Sequence, residues 1–282
     1  MDPGLKQTLD ILYDDYDFRG RILHDPIEFP HRYKRPGDIE VAGFIAACLA
    51  YGKVDLFKPV IDRILSVMGE NPAGFVMDFN LKKHSPLFKG FKYRFNNNED
   101  IICLLYVLSK TLKKYGNLKA VFDARFRDDN TNIGPALAGL IAVLTETDTS
   151  PVYGDDLRPA GFLQFFPSPL KGSACKRMNL FLRWMIRDKD IDFGIWKGVP
   201  KNKLVIPLDT HIARISKCLG FTRRSSQDWK MAVEITESLK RFDAEDPLKY
   251  DFALCHQGIA GVCSRMKCDS CTLKLHRTDF IS

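Results

Sequence analysis

The sequence predicts an all-α protein. Apolar residues recur at helical spacing along the 282-residue chain, as Leu5, Leu9 and Tyr16 do near its start. No alternating strand pattern, internal repeat or low-complexity tract interrupts this periodicity. The stretch NKLVIPL (202–208) is the one segment with strand character, and Pro207 argues against a central strand there.

The predicted helices follow in order from periodicity and from cap residues. Asp38 is a candidate N-cap for the long apolar segment IEVAGFIAACLAYG. Ser225 with Asp228 resembles a capping box, and Asp246 before Pro247 predicts the start of a last helix. Helical patterns also cover 56–69, 99–115, 117–127, 134–145, 173–187, 227–241 and the residues after Asp209.

Composition and charge are those of an ordinary globular protein. The chain is 45% hydrophobic and 27% charged, and no apolar run approaches the roughly 18–20 residues that a membrane span needs. The opening segment MDPGLKQTLD lacks the apolar stretch of a signal peptide, so we expect a cytoplasmic protein with no membrane partner. An excess of 42 Lys and Arg over 35 Asp and Glu gives a net charge of +7, which permits contact with nucleic acid without requiring it.

Eight cysteines in a chain expected to be cytoplasmic argue against a disulfide framework. Four of them lie in apolar or helical contexts typical of inert core thiols: Cys48, Cys103, Cys175 and Cys218. The other four lie close together near the C-terminus, and the C-x2-C spacing of the last pair is typical of a metal site: Cys255, Cys263, Cys268 and Cys271. Two alternatives stay open for the C-terminal cysteines. Three of them could hold zinc together with His276, or the segment could bind no metal.

A turn rich in Pro, Gly and Ser leads directly into a helix within FFPSPLKGSACKRMNLFLRWMIR (165–187). A glycine-containing turn before a helix exposes backbone N–H groups at the positive end of the helix dipole, where a phosphate binds well. Lys171, Lys176 and Arg177 add positive charge at this end. One face of the helix should meet the core. The opposite face of the helix carries Lys176, Asn179, Arg183 and Arg187. This basic face indicates either phosphate contacts or a solvent-exposed surface.

A single aspartate stands where the apolar run VIPL meets the helical pattern THIARISKCLG. Asp209 is a favoured N-cap residue type, and the helix dipole keeps a carboxylate in this position ionised. The same anion suits a reaction that builds positive charge on a substrate. We therefore predict that Asp209 caps its helix, and a catalytic role is compatible with that structural one.

The segment VIPLDTHIARI resembles the one that carries the catalytic aspartate in the helix-hairpin-helix DNA glycosylase superfamily, which reads V-D-T-H-hydrophobic-x-R in endonuclease III-like members. The upstream turn and helix are similar to the family's hairpin motif, G-x-G-x-K-x-x-N-x-x-L. Gly172, Lys176, Asn179 and Leu182 fall in step with it, and Ala174 replaces the second glycine. The chain looks closest to an uncharacterised bacterial branch of this superfamily.

This resemblance implies a two-lobed all-α fold with the active cleft between the lobes. Residues 38–203 would form a central lobe that ends in the hairpin and its helix. Residues 1–37 would pack with residues 204–282 in the second lobe, which carries the catalytic aspartate and the cysteine-containing tail.

The resemblance also implies roles for particular residues. Asp209 and Lys176 would be catalytic, with Lys171 as a nearby alternative to the lysine. The connection 188–202, between the helix with Lys176 and the segment with Asp209, is longer than its counterpart in the family. Contact between the two residues is therefore a further expectation that the structure has to test. Contacts to nucleic acid would come from Lys171, Gly172, Ser173, Arg177, Asn179, Arg183, Tyr51, Lys53 and His211.

Relatives of endonuclease III hold a four-iron cluster with the spacing C-x6-C-x2-C-x5-C. By that resemblance Cys263, Cys268 and Cys271 would be the first three ligands of a [4Fe–4S] cluster, with a shorter first gap. The fourth position falls on an arginine, which cannot bind iron, so Cys255 or His276 would complete the set.

The implied activity is removal of a damaged or mismatched base from duplex DNA after the nucleotide has left the stack. The carboxylate would stabilise the oxocarbenium character of the sugar, and attack by Lys176 would give an imine and an AP-lyase activity. Aromatic residues expected near the extruded base are Tyr51, Phe165, Phe166 and Trp184. Two other classes stay open, a non-catalytic nucleic-acid-binding protein with the same fold and an all-α scaffold that binds proteins. We expect a monomer that binds duplex DNA with a damaged or abasic site.

Overall fold

Most of the chain is helical, as the periodicity predicts. The computed structural model describes residues 3–155 and 158–259, and its content of 63% helix and 2% strand confirms the all-α class. The α-helices in chain order are α1 (Pro3–Asp14), α2 (Phe18–Arg21), α3 (Pro36–Leu49), α4 (Val54–Met68), α5 (Pro72–Met77), α6 (Leu81–His84), α7 (Asn98–Tyr115), α8 (Leu118–Asp123), α9 (Gly134–Glu146), α10 (Ser150–Tyr153), α11 (Ala160–Leu163), α12 (Lys176–Ile186), α13 (Thr210–Cys218), α14 (Trp229–Lys240) and α15 (Asp251–Ile259).

The centre of the fold is α3, whose sequence is apolar around most of its circumference. Every residue from Asp38 to Leu49 is buried. A helix with so little polar surface has to be enclosed by others, and α3 packs against α4, α5 and α12. Gly43 permits the close approach to α12, because a Cβ at this position would lie 3.2 Å from Met185 Cε. The helix that follows the predicted hairpin is thereby held against the core.

The described residues contain one small sheet, in which β1 (Lys92–Tyr93) pairs antiparallel with β2 (Asn96–Asn97). Tyr51, in the loop after α3, donates from its hydroxyl to Asn96 Oδ1 at 2.5 Å, so the sheet holds this loop in place. The stretch 202–208, for which strand character was the alternative, begins in a 3-10 turn (Lys201–Lys203) and is extended over 204–208. It joins no sheet among the described residues.

The expected N-cap of α3 is wrong. The helix begins at Pro36, and Asp38 lies in its first turn instead of before it. There the Asp38 carboxylate accepts hydrogen bonds from Ala73 N at 3.0 Å and from Arg35 Nε at 2.6 Å. One oxygen of the aspartate therefore links α3 to the start of α5, while the other binds the side chain of Arg35 at the start of α3.

Two further helix starts differ from the prediction. The last described helix begins at Asp251, not at Asp246, because the Asp246 carboxylate accepts hydrogen bonds from Arg187 Nε and remains outside the helix. The N-cap of α14 is Asp228 itself, so the capping box predicted to begin at Ser225 is wrong, although a helix does follow.

Glu40 ties α3 to two other parts of the chain. Its carboxylate accepts hydrogen bonds from Leu118 N (2.9 Å) and Lys119 N (3.2 Å) at the start of α8, and from Trp196 Nε1 (2.8 Å). Burial raises the pKa of Glu40, and the donors oppose that rise. One buried acceptor thus satisfies three donors that have little access to water.

Two predictions, the lobe boundaries and the C-terminal metal ligands, are not settled by the described residues. Division of the chain into lobes at 37/38 and 203/204 stays a prediction. The expected metal ligands Cys263, Cys268, Cys271 and His276 lie outside the described residues. Among the helices of residues 3–155 and 158–259, none has the length and apolar content needed to cross a membrane.

Replacement of Glu40 by alanine should lower the free energy of unfolding by about 2–4 kcal/mol, because three donors lose their buried acceptor. Urea unfolding followed by circular dichroism measures this change. Glu237→Ala is the matched control, since the exposed Glu237 carboxylate pairs with Lys240 one turn away and such pairs contribute about 0–1 kcal/mol. Equal losses in the two variants would contradict the role given to Glu40.

Candidate active site

Asp209 is placed by a buried, extended segment that ends in a helix cap. Residues 204–208 are all buried and fix the backbone before it. Asp209 Oδ1 accepts hydrogen bonds from His211 N and Ile212 N, each at 2.9 Å. The predicted N-cap is confirmed, and the free N–H groups at the start of α13 hold the carboxylate in one orientation.

Lys176 is placed by the predicted turn, which is pinned to a distant part of the chain. Gly172 (φ +78°) and Cys175 (φ +50°) adopt left-handed backbone conformations that redirect the chain before α12 begins at Lys176. Between them, Ser173 forms an isolated antiparallel bridge with Asp228. The lysine is therefore the first residue of a helix whose start is fixed by both local backbone geometry and a long-range contact.

The structure brings Lys176 and Asp209 together. Lys176 Nζ lies 3.1 Å from Asp209 Oδ2, although the long connection 187–208 separates the helices that carry them. The Asp209 side chain is 13% exposed and the Lys176 side chain 43%, so the carboxylate is largely enclosed and the lysine side chain is partly exposed.

The two side chains set each other's protonation state. Burial alone would raise the pKa of Asp209, but the Lys176 ammonium and the Ile212 N–H outweigh it and hold this pKa below its ordinary value. Burial would likewise lower the pKa of Lys176, and the Asp209 carboxylate reverses the direction and raises it. At neutral pH the resting site holds a carboxylate and an ammonium, and Lys176 becomes a nucleophile only after it loses a proton.

The ion pair opens into a cavity of about 530 Å³, a size suited to a small organic ligand. The cavity is built from the loop after α3 and the start of α4, from α12, α13 and α15, and from the segment before α3. Its apolar walls are Tyr51, Phe57, Leu180, Pro207 and Phe252. Larger depressions of about 700 Å³ beside Arg32 and about 710 Å³ beside Tyr106 lie on the surface. We place the site in the smaller cavity because buried titratable groups converge there.

Cys255 on α15 contacts the same carboxylate. Its Sγ lies 3.5 Å from Asp209 Oδ2, and burial together with the Asp209 charge raises the pKa of this thiol well above its ordinary value. The close approach depends on Gly258, since a Cβ there would lie 2.6 Å from His211 Cβ. Within the described residues no group of three or more His, Cys, Asp or Glu side chains is arranged to hold a metal ion. A metal site that includes Cys255 stays a prediction.

The basic face predicted on α12 lies in the interior. Arg183 is 3% exposed and donates to Asp251 Oδ2 (2.5 Å) and Asp192 Oδ1 (3.3 Å). Arg187 is also buried and donates from Nε to Asp246 Oδ2 (2.9 Å). The alternative of a solvent-exposed basic surface is wrong for these two positions, because carboxylates from distant segments cover them.

Two other residues predicted to bind nucleic acid are used within the fold. Asn179 is fully buried, and Arg177 donates to the backbone carbonyls of Cys48 and Gln164. Asn179 has no exposed surface for direct contact with DNA, whereas Arg183 is bound to two carboxylates but also lines the cavity, so its contact with nucleic acid stays a prediction. These side chains position α12 and so act on the site through Lys176.

The remaining predicted contacts divide between the cavity and the turn. The residues that line the cavity are Tyr51, Lys53 and His211. Those on the turn are Lys171, Gly172 and Ser173, next to Leu170, which is 84% exposed. Of the aromatic residues expected near a bound base, Tyr51 lines the cavity, whereas three are buried in the core: Phe165, Phe166 and Trp184.

The sequence did not reveal several residues of the cavity wall, among them Asp25, Asp251, Phe252 and His256. Asp25 precedes Pro26, a step that predicts a turn or a cap and gives no sign of chemistry. Asp251 follows the helix start that was assigned too early. No local pattern marks either carboxylate, because the packing of α15 and of the segment before α3 around α12 brings them to the cavity.

A family model described as "Protein of unknown function (DUF2400)" matches residues 25–260, a span that includes Asp25, Lys176 and Asp209. No curated protein and no solved structure matched the chain. Because the matching description states no activity, functional interpretation rests on the geometry of the cavity.

Arg183→Ala should lower the free energy of unfolding by about 3–5 kcal/mol, because Asp192 and Asp251 are left buried without their cation. Lys171→Ala, on the exposed turn, is the control and should change stability by less than about 0.5 kcal/mol. Urea unfolding measures both changes. Small and equal effects would contradict the assignment of Arg183 to the interior.

Asp209→Asn should reduce stability at neutral pH and progressively less below about pH 4. Asparagine preserves the cap, so the comparison isolates the charge interaction with Lys176. The folded-state pKa of Asp209 lies below its ordinary value of 3.8, so the charge contributes stability above that pH and loses it as the pH falls through the folded-state pKa. Thermal unfolding of the two proteins across this range tests the sign, and a difference that does not vary with pH would contradict the ion pair.

Proposed function

Because the chain belongs to the DUF2400 family, whose description names no activity, we propose from the geometry of its cavity that it is a DNA N-glycosylase with a lyase step. The fold proposed with it is the two-lobed helix-hairpin-helix arrangement. The observation that carries the proposal is the 3.1 Å contact between Lys176 Nζ and Asp209 Oδ2 at the wall of a cavity. A fixed anion next to a primary amine is the pair that base removal through an imine requires.

The properties of Asp209 suit the stabilisation of an oxocarbenium-like sugar. Its Oδ1 is held by two backbone N–H groups, and its pKa is kept low by Lys176 and Ile212 N–H in spite of burial. The carboxylate therefore stays ionised and needs no reorganisation as positive charge develops at C1′.

Lys176 supplies the nucleophile in this proposal. Its Nζ attacks C1′ as the base departs, and opening of the sugar gives an imine through which elimination cleaves the strand. The resting ammonium is held by Asp209, so the attack requires removal of one proton first. The two residues therefore have different requirements: the Asp209 carboxylate must stay charged, whereas the Lys176 ammonium must become a neutral amine.

The cavity has the size and the lining for an extruded base. Its volume of about 530 Å³ lies in the range of small-ligand sites, and Tyr51, Phe57 and Phe252 provide aromatic surface. A base in a duplex is unreachable, so the nucleotide would leave the stack and enter here. We propose no particular base.

Binding of the duplex is assigned to the turn before α12 and to the rim of the cavity. Lys171 and Lys53 are exposed at these two places, and the chain carries a net charge of +7. Neutralisation of phosphates by such residues releases counterions, so the affinity should fall steeply as salt rises. A metal held by the C-terminal cysteines and action as a monomer remain parts of the proposal.

Borohydride trapping on duplex DNA with one abasic site tests the proposal, because it bypasses the identity of the base. The wild-type protein should form a covalent adduct, since reduction converts the imine to a stable amine. Lys176→Ala should form none. Asp209→Asn should form it at least about 10²-fold more slowly, because a preorganised charge is lost.

Lys171→Ala is the matched control for the lysine, since it removes a nearby cation outside the ion pair. It should weaken binding and reduce the salt dependence while the trapped adduct still forms at saturating protein. Tight, salt-dependent binding without any adduct would overturn the lyase step and favour a non-catalytic nucleic-acid-binding protein. An adduct that persists in Lys176→Ala would move the nucleophile to another residue.

A further inference from the structure

Besides Asp209, three aspartates line the cavity, and one of them, Asp25, comes from a part of the chain distant from both catalytic candidates. Asp25 has extended backbone and caps the 3-10 segment Pro26–Glu28, with Oδ1 accepting a hydrogen bond from Ile27 N at 2.9 Å. It lines the same cavity as Lys176 and Asp209. The proposed mechanism leaves this carboxylate without a role.

The segment that carries Asp25 is held in place. Residues Pro26–Glu28 are buried, and the Glu28 carboxylate pairs with Arg32 (3.0 Å) and Lys58 (2.6 Å). The cap uses Oδ1 of Asp25, while Oδ2 has no hydrogen-bond donor among residues 3–155 and 158–259. Asp25 is therefore a fixed group with one acceptor oxygen left for the cavity.

Several charged and titratable groups face Asp25, and most of them are engaged elsewhere. They come from the loop after α1 and from the helices α12 and α15, and are Tyr16, Lys176, Arg183, Cys255 and His256. Arg183 binds Asp192 and Asp251, and His256 Nδ1 is hydrogen-bonded to Phe252 O. The Lys176 ammonium pairs with Asp209, and the Tyr16 hydroxyl has no hydrogen-bond partner among the described residues. Of these two donors, only the ammonium has to lose a proton in the proposed reaction.

The environments of the two carboxylates push their pKa values in opposite directions. Burial raises the pKa of Asp25 against the opposing effects of Ile27 N–H and Arg183, whereas the pKa of Asp209 is lowered. When two neighbouring acids have pKa values shifted in opposite directions, one is suited to remain charged and the other to transfer a proton. Here Asp209 suits the first role and Asp25 the second. Asp251 also lines the cavity, but its carboxylate is bound by Arg183 at 2.5 Å.

We propose that Asp25 is the proton carrier for Lys176 during imine formation, an inference that rests on the proposed lyase function. The Asp25 carboxylate first takes a proton from the ammonium, directly or through one water, to give a carboxylic acid and a neutral amine. The amine adds to the C1′ carbonyl of an open abasic sugar, and a proton moves from nitrogen to oxygen to give a carbinolamine. Asp25 then protonates the hydroxyl, which leaves as water, and the iminium forms with Asp25 ionised again.

The test is the rate of adduct formation on abasic duplex DNA, measured with the full-length protein across neutral pH. Asp25→Asn keeps the acceptor for Ile27 N but cannot accept a proton, so the rate should fall by about 10²-fold or more. Its residual rate should rise with pH, because hydroxide must then deprotonate Lys176. The wild-type rate should be nearly level, since Asp25 supplies the base internally.

Asp17→Asn is the matched control, because Asp17 is also a helix cap, of α2, and lies outside the cavity. It should behave as the wild type, and Asp25→Glu should restore a level pH profile and part of the rate even if Asp25→Asn loses stability. Wild-type rates and profiles in both Asp25 variants would overturn the role of Asp25 and leave the proposed function intact. Absence of an adduct with the wild-type protein would overturn both.

Discussion

Two buried arginines, Arg183 on α12 and Arg187 directly after it, hold the candidate site together. They bind carboxylates from other segments, among them Asp192 in the connection after α12, Asp246 just before α15 and Asp251 at the start of α15. Buried ion pairs contribute little net stability but are costly to break, so their effect is to specify one arrangement. Because α12 begins at Lys176 and α15 carries Phe252 and Cys255, the network fixes the distance between the lysine and the far wall of the cavity.

The two aspartates Asp209 and Asp25 have different protonation preferences because their surroundings in the cavity differ. Asp209 gains two backbone donors and a cation, which keep it ionised, while Asp25 gains burial with a single backbone donor and so favours a proton. An aspartate in water would have neither the lowered pKa of Asp209 nor the raised pKa of Asp25. Each follows from the segment that carries the side chain, a helix N-terminus for one and a buried 3-10 turn for the other. A site with one permanent anion and one exchangeable proton suits chemistry at a carbon that becomes positive while an amine changes protonation state.

The sequence predicted what depends on local pattern. Helical periodicity identified the class, and the cap at Asp209 followed from its residue type at the start of an apolar repeat. The contact between Lys176 and Asp209 was expected from a motif resemblance, and the structure places the two groups together. What failed depends on partners distant in sequence. The face with Arg183 reads as a surface until Asp192 and Asp251 cover it, and Asp25 reads as a turn until two helices pack beside it.

The proposal that Lys176 and Asp209 meet a flipped-out sugar in this cavity is tested most directly by a crystal structure with duplex DNA that carries a stable abasic-site analogue. We predict an extrahelical sugar in the cavity with C1′ about 3.5 Å from Lys176 Nζ, a distance suited to attack. It also predicts the Asp209 carboxylate beside the sugar and phosphates against the turn at Lys171. DNA bound to another face, with the cavity empty and the sugar still stacked in the duplex, would contradict the account.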